Sequence, residues 1–281
     1  YSSGCGAGLT PRKTGQDMSS LPAEPHSRAA MLLAAGRGER MRPLTDTTPK
    51  PLLAVRGRAL LDWHVAALQR DGVYHMVVNT AWLGTQIPVH LNAAWPALAA
   101  AGGLRYSHEG ADFGHALETA GGIARALPQL PPVFWLAAGD VFAPDFVFDA
   151  AAHDAFAVSN DLAHLWLVPN PAHNPQGDFG LAESAPGSGT GRAVNAPKTQ
   201  ASAALAALPR YTYSTIALLK AELFGAPWCD LPAGNPQGGA APLAPLLRRA
   251  MDAGRVGASV YRGLWVDVGT PERLAQLNAA A

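Results

Sequence analysis

Four short apolar runs constrain the fold of this chain more than any other feature. They are AAMLLAA (29–35), VYHMVVN (73–79), PVFWLAAGD (132–140) and LAHLWLVPN (162–170). Each is short for a helix and mostly apolar on both alternating faces, as in a strand buried on both sides of a parallel sheet. Between the first two, ALLDWHVAALQRDG (59–72) sets Leu60, Leu61, His64, Val65 and Leu68 on one helical face and stops at Gly72. LRYSHE (104–109) reads as a further strand and the segment around 119–127 as a helix. Strand and helix therefore alternate through the first 170 residues, which argues an α/β fold with a doubly wound sheet covered on both faces.

The second half is less regular and makes the sheet mixed, mostly parallel. GDFGLAE (177–183) and YTYSTIALL (211–219) read as strands with no clear helix between them. A helix (243–253), a strand (255–262), LWVDVG (264–269) and a terminal helix complete the chain; Thr270 suits its N-cap and Pro271 its first turn. Long loops are expected at about 185–208 and 225–242, both rich in small residues, Gly and Pro. Residues 1–28 carry no hydrophobic period and are expected to form a disordered leader, leaving 29–281 as a single domain.

Composition excludes several classes. The 21 Lys+Arg balance 21 Asp+Glu and form no basic block, so a broad grip on nucleic acid is disfavoured. Cys5 and Cys229 are the only cysteines, too few for a disulfide framework or a Cys-based zinc site. No run approaches the roughly 18 apolar residues of a membrane-spanning helix. The first residues lack the apolar stretch of a secretory signal, so a cytoplasmic setting is expected. No membrane or nucleic-acid partner is expected, and the chain is expected to be a monomer or homodimer.

The strongest local signal is LLAAGRGERMRPLTDTTPKPLL (32–53). A buried strand ends at Ala35; Gly36 and Gly38 then let the backbone come close to an anion. Arg37, Arg40 and Arg42 follow, and Lys50 sits between two prolines in a chain with only three other lysines, Lys13, Lys198 and Lys220. Backbone N–H groups, cations and a fixed lysine are what a triphosphate needs. A Walker A loop is excluded because no Gly-Lys pair occurs, and the dinucleotide fingerprint GxGxxG fails at Met41. A basic surface loop is the bland alternative.

Two aspartates end apolar strands, Asp140 in FWLAAGD and Asp267 in LWVDVGT. A carboxylate there is costly without a partner. Beside a triphosphate loop the two suggest a Mg²⁺ site, since Mg²⁺ favours one or two carboxylates plus phosphate oxygens and waters. An N-cap role for Asp140 and a satisfied buried carboxylate for Asp267 are the alternatives. Glu118 reads either as a cap of the following helix or as a ligand contact. His64 and the tryptophans read as core, and Asp46 and Asp62 as structural. No HExxH motif occurs, and Ser214 lacks a nucleophile elbow.

The text GxGxRMxPLT followed by PKPLL resembles the signature of the sugar-1-phosphate nucleotidyltransferases, matched at Gly36, Gly38, Arg40, Met41, Pro43, Leu44, Thr45 and Pro49-Lys50-Pro51. The resemblance implies a Rossmann-like, GT-A-like nucleotidyltransferase fold. It further implies a nucleotide-phosphate site at Ala34, Ala35, Gly36, Gly38, Glu39 and Arg40, with Lys50 and Arg40 as catalytic cations and Mg²⁺ on Asp140 and Asp267. The chain is most similar to the branch of N-acetylmuramate α-1-phosphate uridylyltransferases through NxAWLGxQI (79–87), LETxGGI (117–123), NPxHNPxGDF (170–179), APLLRRAM (244–251) and YRGLWVDVGTPERL (261–274). It departs from that branch at Thr215, where glycine is usual, at Ala138, where a polar residue is common, and at Thr80, where histidine is frequent. The reaction implied joins UTP and a sugar 1-phosphate into UDP-sugar and pyrophosphate. Asn79, Glu118 and Gly121 are candidates for base or sugar recognition. Asn170, His173 and Asn174 would supply donors to the sugar's carboxylate, with Asp178 turned to sugar hydroxyls. A mannose- or glucose-1-phosphate nucleotidyltransferase is the alternative within enzymes, and a non-catalytic nucleotide-sugar sensor the alternative outside them.

Overall fold

The structure, a computed structural model, describes residues 1, 28–196, 205 and 207–279. In chain order the strands are β1 (Ala29–Leu33), β2 (Ala54–Val55), β3 (Arg58–Ala59), β4 (His75–Thr80), β5 (Leu104–His108), β6 (Val133–Ala138), β7 (Val141–Phe142), β8 (Ala163–Val168), β9 (Phe179–Glu183), β10 (Thr190–Val194), β11 (Arg210–Lys220), β12 (Val256–Val260) and β13 (Val266–Asp267). The helices are α1 (Leu60–Arg70), α2 (Gln86–Ala94), α3 (Pro96–Ala100), α4 (Glu109–Phe113), α5 (Glu118–Ala126), α6 (Ala150–Val158), α7 (Leu243–Asp252) and α8 (Pro271–Ala279).

The main sheet runs in the order β5-β4-β1-β6-β11-β8-β12-β10-β9, and β9 also pairs with β11. β5, β4, β1, β6, β8, β12 and β9 point one way; only β11 and β10 run against them. The mixed, mostly parallel sheet read from the sequence is therefore present. Its strands are apolar on both faces because both faces are covered. Met31 packs with Ile123, Phe134 and Leu246 on one side, while its neighbour Leu32 packs with Leu61, Val65 and Trp135 on the other. A third cluster, Met41, Phe142, Val268 and Leu274, fastens α8 beneath the glycine loop.

Several elements differ from the sequence reading. The expected loop at 185–208 contains β10, whose pairing with β9 and β12 overrides its weakly hydrophobic sequence; residues 197–204 and 206 lie outside the described residues. The sequence does not mark α2, α3 and α6 as helices: α2 carries an internal proline, and α3 and α6 are Ala-rich with a faint apolar period. Asp149 caps α6, accepting a hydrogen bond from Ala151 N at 2.9 Å. Pro271 does open α8, but the Thr270 hydroxyl stands 3.5 Å from Arg273 N, a weak cap. The 225–242 segment forms neither helix nor strand. Buried Asn235 pins it, donating to Gly121 O and Gly239 O and accepting from Gly239 N. Of the expected leader, residues 2–27 lie outside the described residues, and Arg28 forms an ion pair with Asp154 at 3.1 Å.

Candidate active site

The ends of β1 and β6, the bulge of β11, the start of α5 and the first turns of α7 enclose a cavity of about 580 Å³. That size and its mixed lining suit a small-molecule ligand. Its polar end is built from Ala34, Ala35, Gly36, Lys50, Asn79, Glu118 and Asp140, and its apolar end from Phe179, Tyr213, Leu243 and Leu247. The cavity lies where parallel strands end and connections diverge, the usual ligand position in open α/β sheets.

The glycine loop is fixed from both sides. Gly38 takes φ +67°, and a Cβ there would stand 3.0 Å from Lys50 Cβ and 3.1 Å from Thr45 Cγ2. Buried Thr45 donates from its hydroxyl to Gly38 O at 2.8 Å. Gly38 is thus required by its turn and by packing over the lysine stem, and only Gly36 borders the cavity. Among the described residues, the amides of Ala35 and Gly36 donate to no protein group, as expected of an anion-binding stretch. Ala34 differs: its amide is already taken by Asn79 Oδ1 at 2.7 Å.

Lys50 is 8% exposed, and its ammonium donates to Asp140 Oδ2 at 2.6 Å. Burial holds the cation at one place, while Asp140, at 41% side-chain exposure, faces the opening. Arg40, the other expected catalytic cation, is exposed in the turn after Gly38 and makes no ion pair among the described residues. Glu39, also exposed, leans toward Arg37 at 3.5 Å, and the Arg37 guanidinium lies 3.7 Å over the Trp82 ring. Glu39 and Arg40 thus sit beside the cavity and do not line it.

The two aspartates come from distant segments and are joined by a two-stranded sheet. β13 pairs antiparallel with β7, placing Asp267 opposite Val141, and Val268 N donates to Asp140 O at 2.9 Å. Neither bland reading holds as stated: Asp140 lies in a turn and caps no helix, and Asp267 is 27% exposed. Asp267 Oδ1 accepts from Arg273 Nη1 and stands 3.2 Å from His173 Nε2. Among the described residues, Asp140 Oδ1 and Asp267 Oδ2 have no hydrogen-bond partner. No group of three or more His, Cys, Asp or Glu could hold a metal by itself among the described residues. Two carboxylates with one free oxygen each suit an ion that arrives with phosphate oxygens and waters.

The remaining candidates divide. Glu118 lines the cavity at φ +57° and caps nothing. Gly121 does not line it; a Cβ there would stand 2.5 Å from Gly239 O, so this glycine serves the close approach of the 225–242 loop. Asn170 and Asp178 also lie outside the lining. Asn170 donates to Pro175 O and Arg210 O and accepts from Thr212 Oγ1, while Asp178 accepts from Tyr213 N at 2.9 Å and from Asn174 Nδ2 at 3.1 Å. These groups close the 170–178 loop on itself. Of that segment's expected donors, only His173 reaches another site residue.

Two residues that matter were not singled out as site residues or were read only as departures. Glu109 is fully buried and accepts from Asn79 Nδ2 at 2.7 Å and from Leu117 N at 2.8 Å. Burial pushes its carboxyl above the usual range, and these two hydrogen bonds pull it back. The strand before it, LRYSH, is largely polar, so the sequence carries no signal like the apolar run that ends at Asp140. Thr215 lines the cavity at φ +62°, where β11 bulges between its pairings at Tyr213 and Ala217. A β-branched residue there is strained, and glycine would be relaxed at this backbone. Ser214 holds the bulge, donating to Trp166 O at 2.6 Å while Trp265 Nε1 donates to Ser214 O at 3.1 Å.

Comparison with known proteins shows the family and the fold. Residues 29–281 match the nucleotidyl transferase family. The chain is 43% identical over 254 residues to the N-acetylmuramate alpha-1-phosphate uridylyltransferase of Neisseria meningitidis serogroup B, covering 90% of this chain and 97% of that protein. It is 42% identical over 109 residues to the enzyme of that name from Caulobacter vibrioides, covering 38% and 43%. Among solved structures, it resembles a UDP-glucose pyrophosphorylase from Acinetobacter baumanii (TM-score 0.62, 16% identity, 90% of this chain and 92% of that one). It also resembles the inositol-1-phosphate CTP transferase from T. maritima (TM-score 0.58, 18% identity, 90% and 96%). At such identities these two likenesses establish the fold alone. The glycine loop, Lys50 and Asp140 share the cavity, Asp267 is joined to them through the β7–β13 pair, and the chain belongs to the nucleotidyltransferase family.

Proposed function

We propose that this chain transfers the uridylyl group of UTP to a sugar 1-phosphate, N-acetylmuramate α-1-phosphate, with release of pyrophosphate. The observation that carries the reading is the buried Lys50 ammonium on Asp140, at the foot of a glycine loop whose Ala35 and Gly36 amides donate to no protein group among the described residues. The choice of UTP and of this sugar rests on the 43% identity to the Neisseria enzyme of that name.

The sugar phosphate is already anionic at neutral pH, so its oxygen needs no general base. That oxygen forms a bond to the α-phosphorus of UTP, and the bond from the α-phosphorus to pyrophosphate breaks in line. Two polyanions must approach, so catalysis consists of positioning and charge neutralisation. The amides of Ala35 and Gly36 hold phosphate oxygens, and Lys50 keeps two N–H donors beyond the one given to Asp140. Arg40 flanks the phosphates from outside. Asp140 and Asp267 are the residues that would hold Mg²⁺, which when bound neutralises phosphate charge.

The apolar end, with Phe179, Tyr213, Leu243 and Leu247, suits a sugar bearing acyl substituents better than a bare hexose. On this reading the reaction belongs to peptidoglycan recycling in the cytoplasm, where UTP is available. No helix among the described residues is long and apolar enough to cross a membrane. The test is kcat/KM with UTP for N-acetylmuramate 1-phosphate, N-acetylglucosamine 1-phosphate and glucose 1-phosphate. The muramate is expected to lead, because a site bonded to a particular group rejects analogues that lack it. A value for glucose 1-phosphate that equals or exceeds it overturns the substrate and leaves nucleotidyl transfer standing.

A further inference from the structure

Glu109 does not itself line the cavity, yet both of its oxygens are committed to groups at its walls. Oε1 accepts from Asn79 Nδ2 at 2.7 Å, and Asn79 Oδ1 in turn accepts from Ala34 N at 2.7 Å, at the head of the glycine loop. Oε2 accepts from Leu117 N at 2.8 Å, one residue before α5 and Glu118. One fully buried carboxylate therefore ties the loop to the helix across the polar end of the cavity.

The chemistry of the pair is directional. Asn79 must turn its oxygen to Ala34 N–H, which leaves its NH₂ facing Glu109, and Leu117 also presents an N–H. Both neighbours of Glu109 are donors, so each of its two oxygens must accept, which a carboxylate allows and an amide in the same pose does not. The space is equally strict: a Cβ on Gly122 would stand 2.4 Å from Glu109 Oε1 and 2.9 Å from Asn79 Nδ2. A buried charge is costly unless its hydrogen bonds are met. Its presence away from the reacting groups calls for a reason, and the spacing of the two walls supplies one.

We propose that Glu109 is a positioning residue for the nucleotide, acting through Asn79 on Ala34 and directly on Leu117 to fix the gap that the nucleotide enters. The ligand's identity rests on the function proposed above; the positioning role rests on the hydrogen bonds alone.

The test is a reciprocal exchange. E109Q places a donor against a donor, and N79D places two carboxylates face to face. In N79D/E109Q every bond is restored. The new carboxylate at position 79 accepts from Ala34 N and from the new amide nitrogen at position 109, and the amide oxygen at 109 accepts from Leu117 N. Equilibrium binding of UTP is measured by calorimetry, together with KM for UTP and for the sugar phosphate and thermal melting. Each single substitution is expected to weaken UTP about tenfold or more, with a smaller effect on the sugar phosphate, and the double variant, whose carboxylate at position 79 now borders the cavity, to bind UTP at least about threefold more tightly than the worse single. G122A, which wedges a methyl into the same contact, gives a second route should a single variant fail to fold, and is expected to weaken UTP selectively as well. Unchanged UTP binding in folded single variants, or G122A with unchanged UTP binding, overturns the proposal. So does a double variant as impaired as the worse single. Failure of the unaltered protein to bind UTP overturns the nucleotide assignment instead, and the same cycle is then run with whichever nucleoside triphosphate it does bind.

Discussion

Replacing Lys50 by methionine separates what the lysine does for the fold from what it does for the reaction. The stem packs under Gly38, where a Cβ would come within 3.3 Å of Lys50 Cδ, and methionine keeps that packing. What is lost is the charge on Asp140. Because Asp140 is 41% exposed, water can replace the ammonium, and the pair is worth no more than about 1 kcal/mol to stability. Lys50 itself is 8% exposed, so its interaction with a phosphoryl oxygen belongs to a medium of effective dielectric near 20 and not to bulk water. At about 4 Å that is roughly 4 kcal/mol, against about 1 kcal/mol in water. Loss of one preorganised charge contact in other active sites costs about 2.7–4 kcal/mol, or roughly 10²–10³ in kcat. K50M is therefore expected to melt close to the original protein and to turn over roughly 10²–10³ times more slowly, with a smaller change in KM for UTP. Pyrophosphate release with UTP and sugar phosphate measures the rate, and urea denaturation the stability. Turnover within about threefold of the original removes Lys50 from the mechanism. A stability loss above about 3 kcal/mol shows that the pair is structural.

Activity is expected to vanish in EDTA, and D140N and D267N to be impaired and partly rescued by more Mg²⁺, since an amide keeps an oxygen ligand and loses the charge; persistence in EDTA makes the carboxylates structural. T215G is expected to be more stable than T215A by about 1 kcal/mol in urea, because φ +62° penalises any Cβ; equal or reversed stability contradicts the left-handed backbone. Burial lowers the pKa of His64 and takes that of His164 down to about 4, so between about 6.5 and 4 the unfolded chain binds more protons than the folded one. Stability is accordingly expected to hold above about pH 6.5 and to fall on acidification by up to about 1.4 kcal/mol per pH unit for each histidine. Glu109, with its pKa raised, acts in the opposite sense above the carboxylate range, so H164Q provides the comparison: its acid slope should be the shallower, and an unchanged slope refutes the assignment.

The buried strands through residue 170, helices α1 and α5, the glycine loop, Lys50 and the two aspartates are legible in the local sequence. Buried strands must be continuously apolar, and a phosphate loop needs glycine and cations close together in the chain. Thr270-Pro271 marked α8 for the same local reason. β10 and α6 were not so marked, because their text is weakly patterned and it is pairing or a cap that makes them regular. What only the tertiary structure decided is which groups meet. Asp140 and Asp267 are far apart in sequence and become neighbours through the β7–β13 pair. Asn170 and Asp178 have the residue types of ligand contacts, yet hydrogen bonds to Thr212, Arg210 and Tyr213 consume them. Glu109 shows the reverse, a carboxylate without a motif whose role arises because two N–H donors from separate segments converge on it. Residue type and spacing set what a side chain can bond. Which bonds it has left for a ligand depends on the neighbours that the fold brings to it.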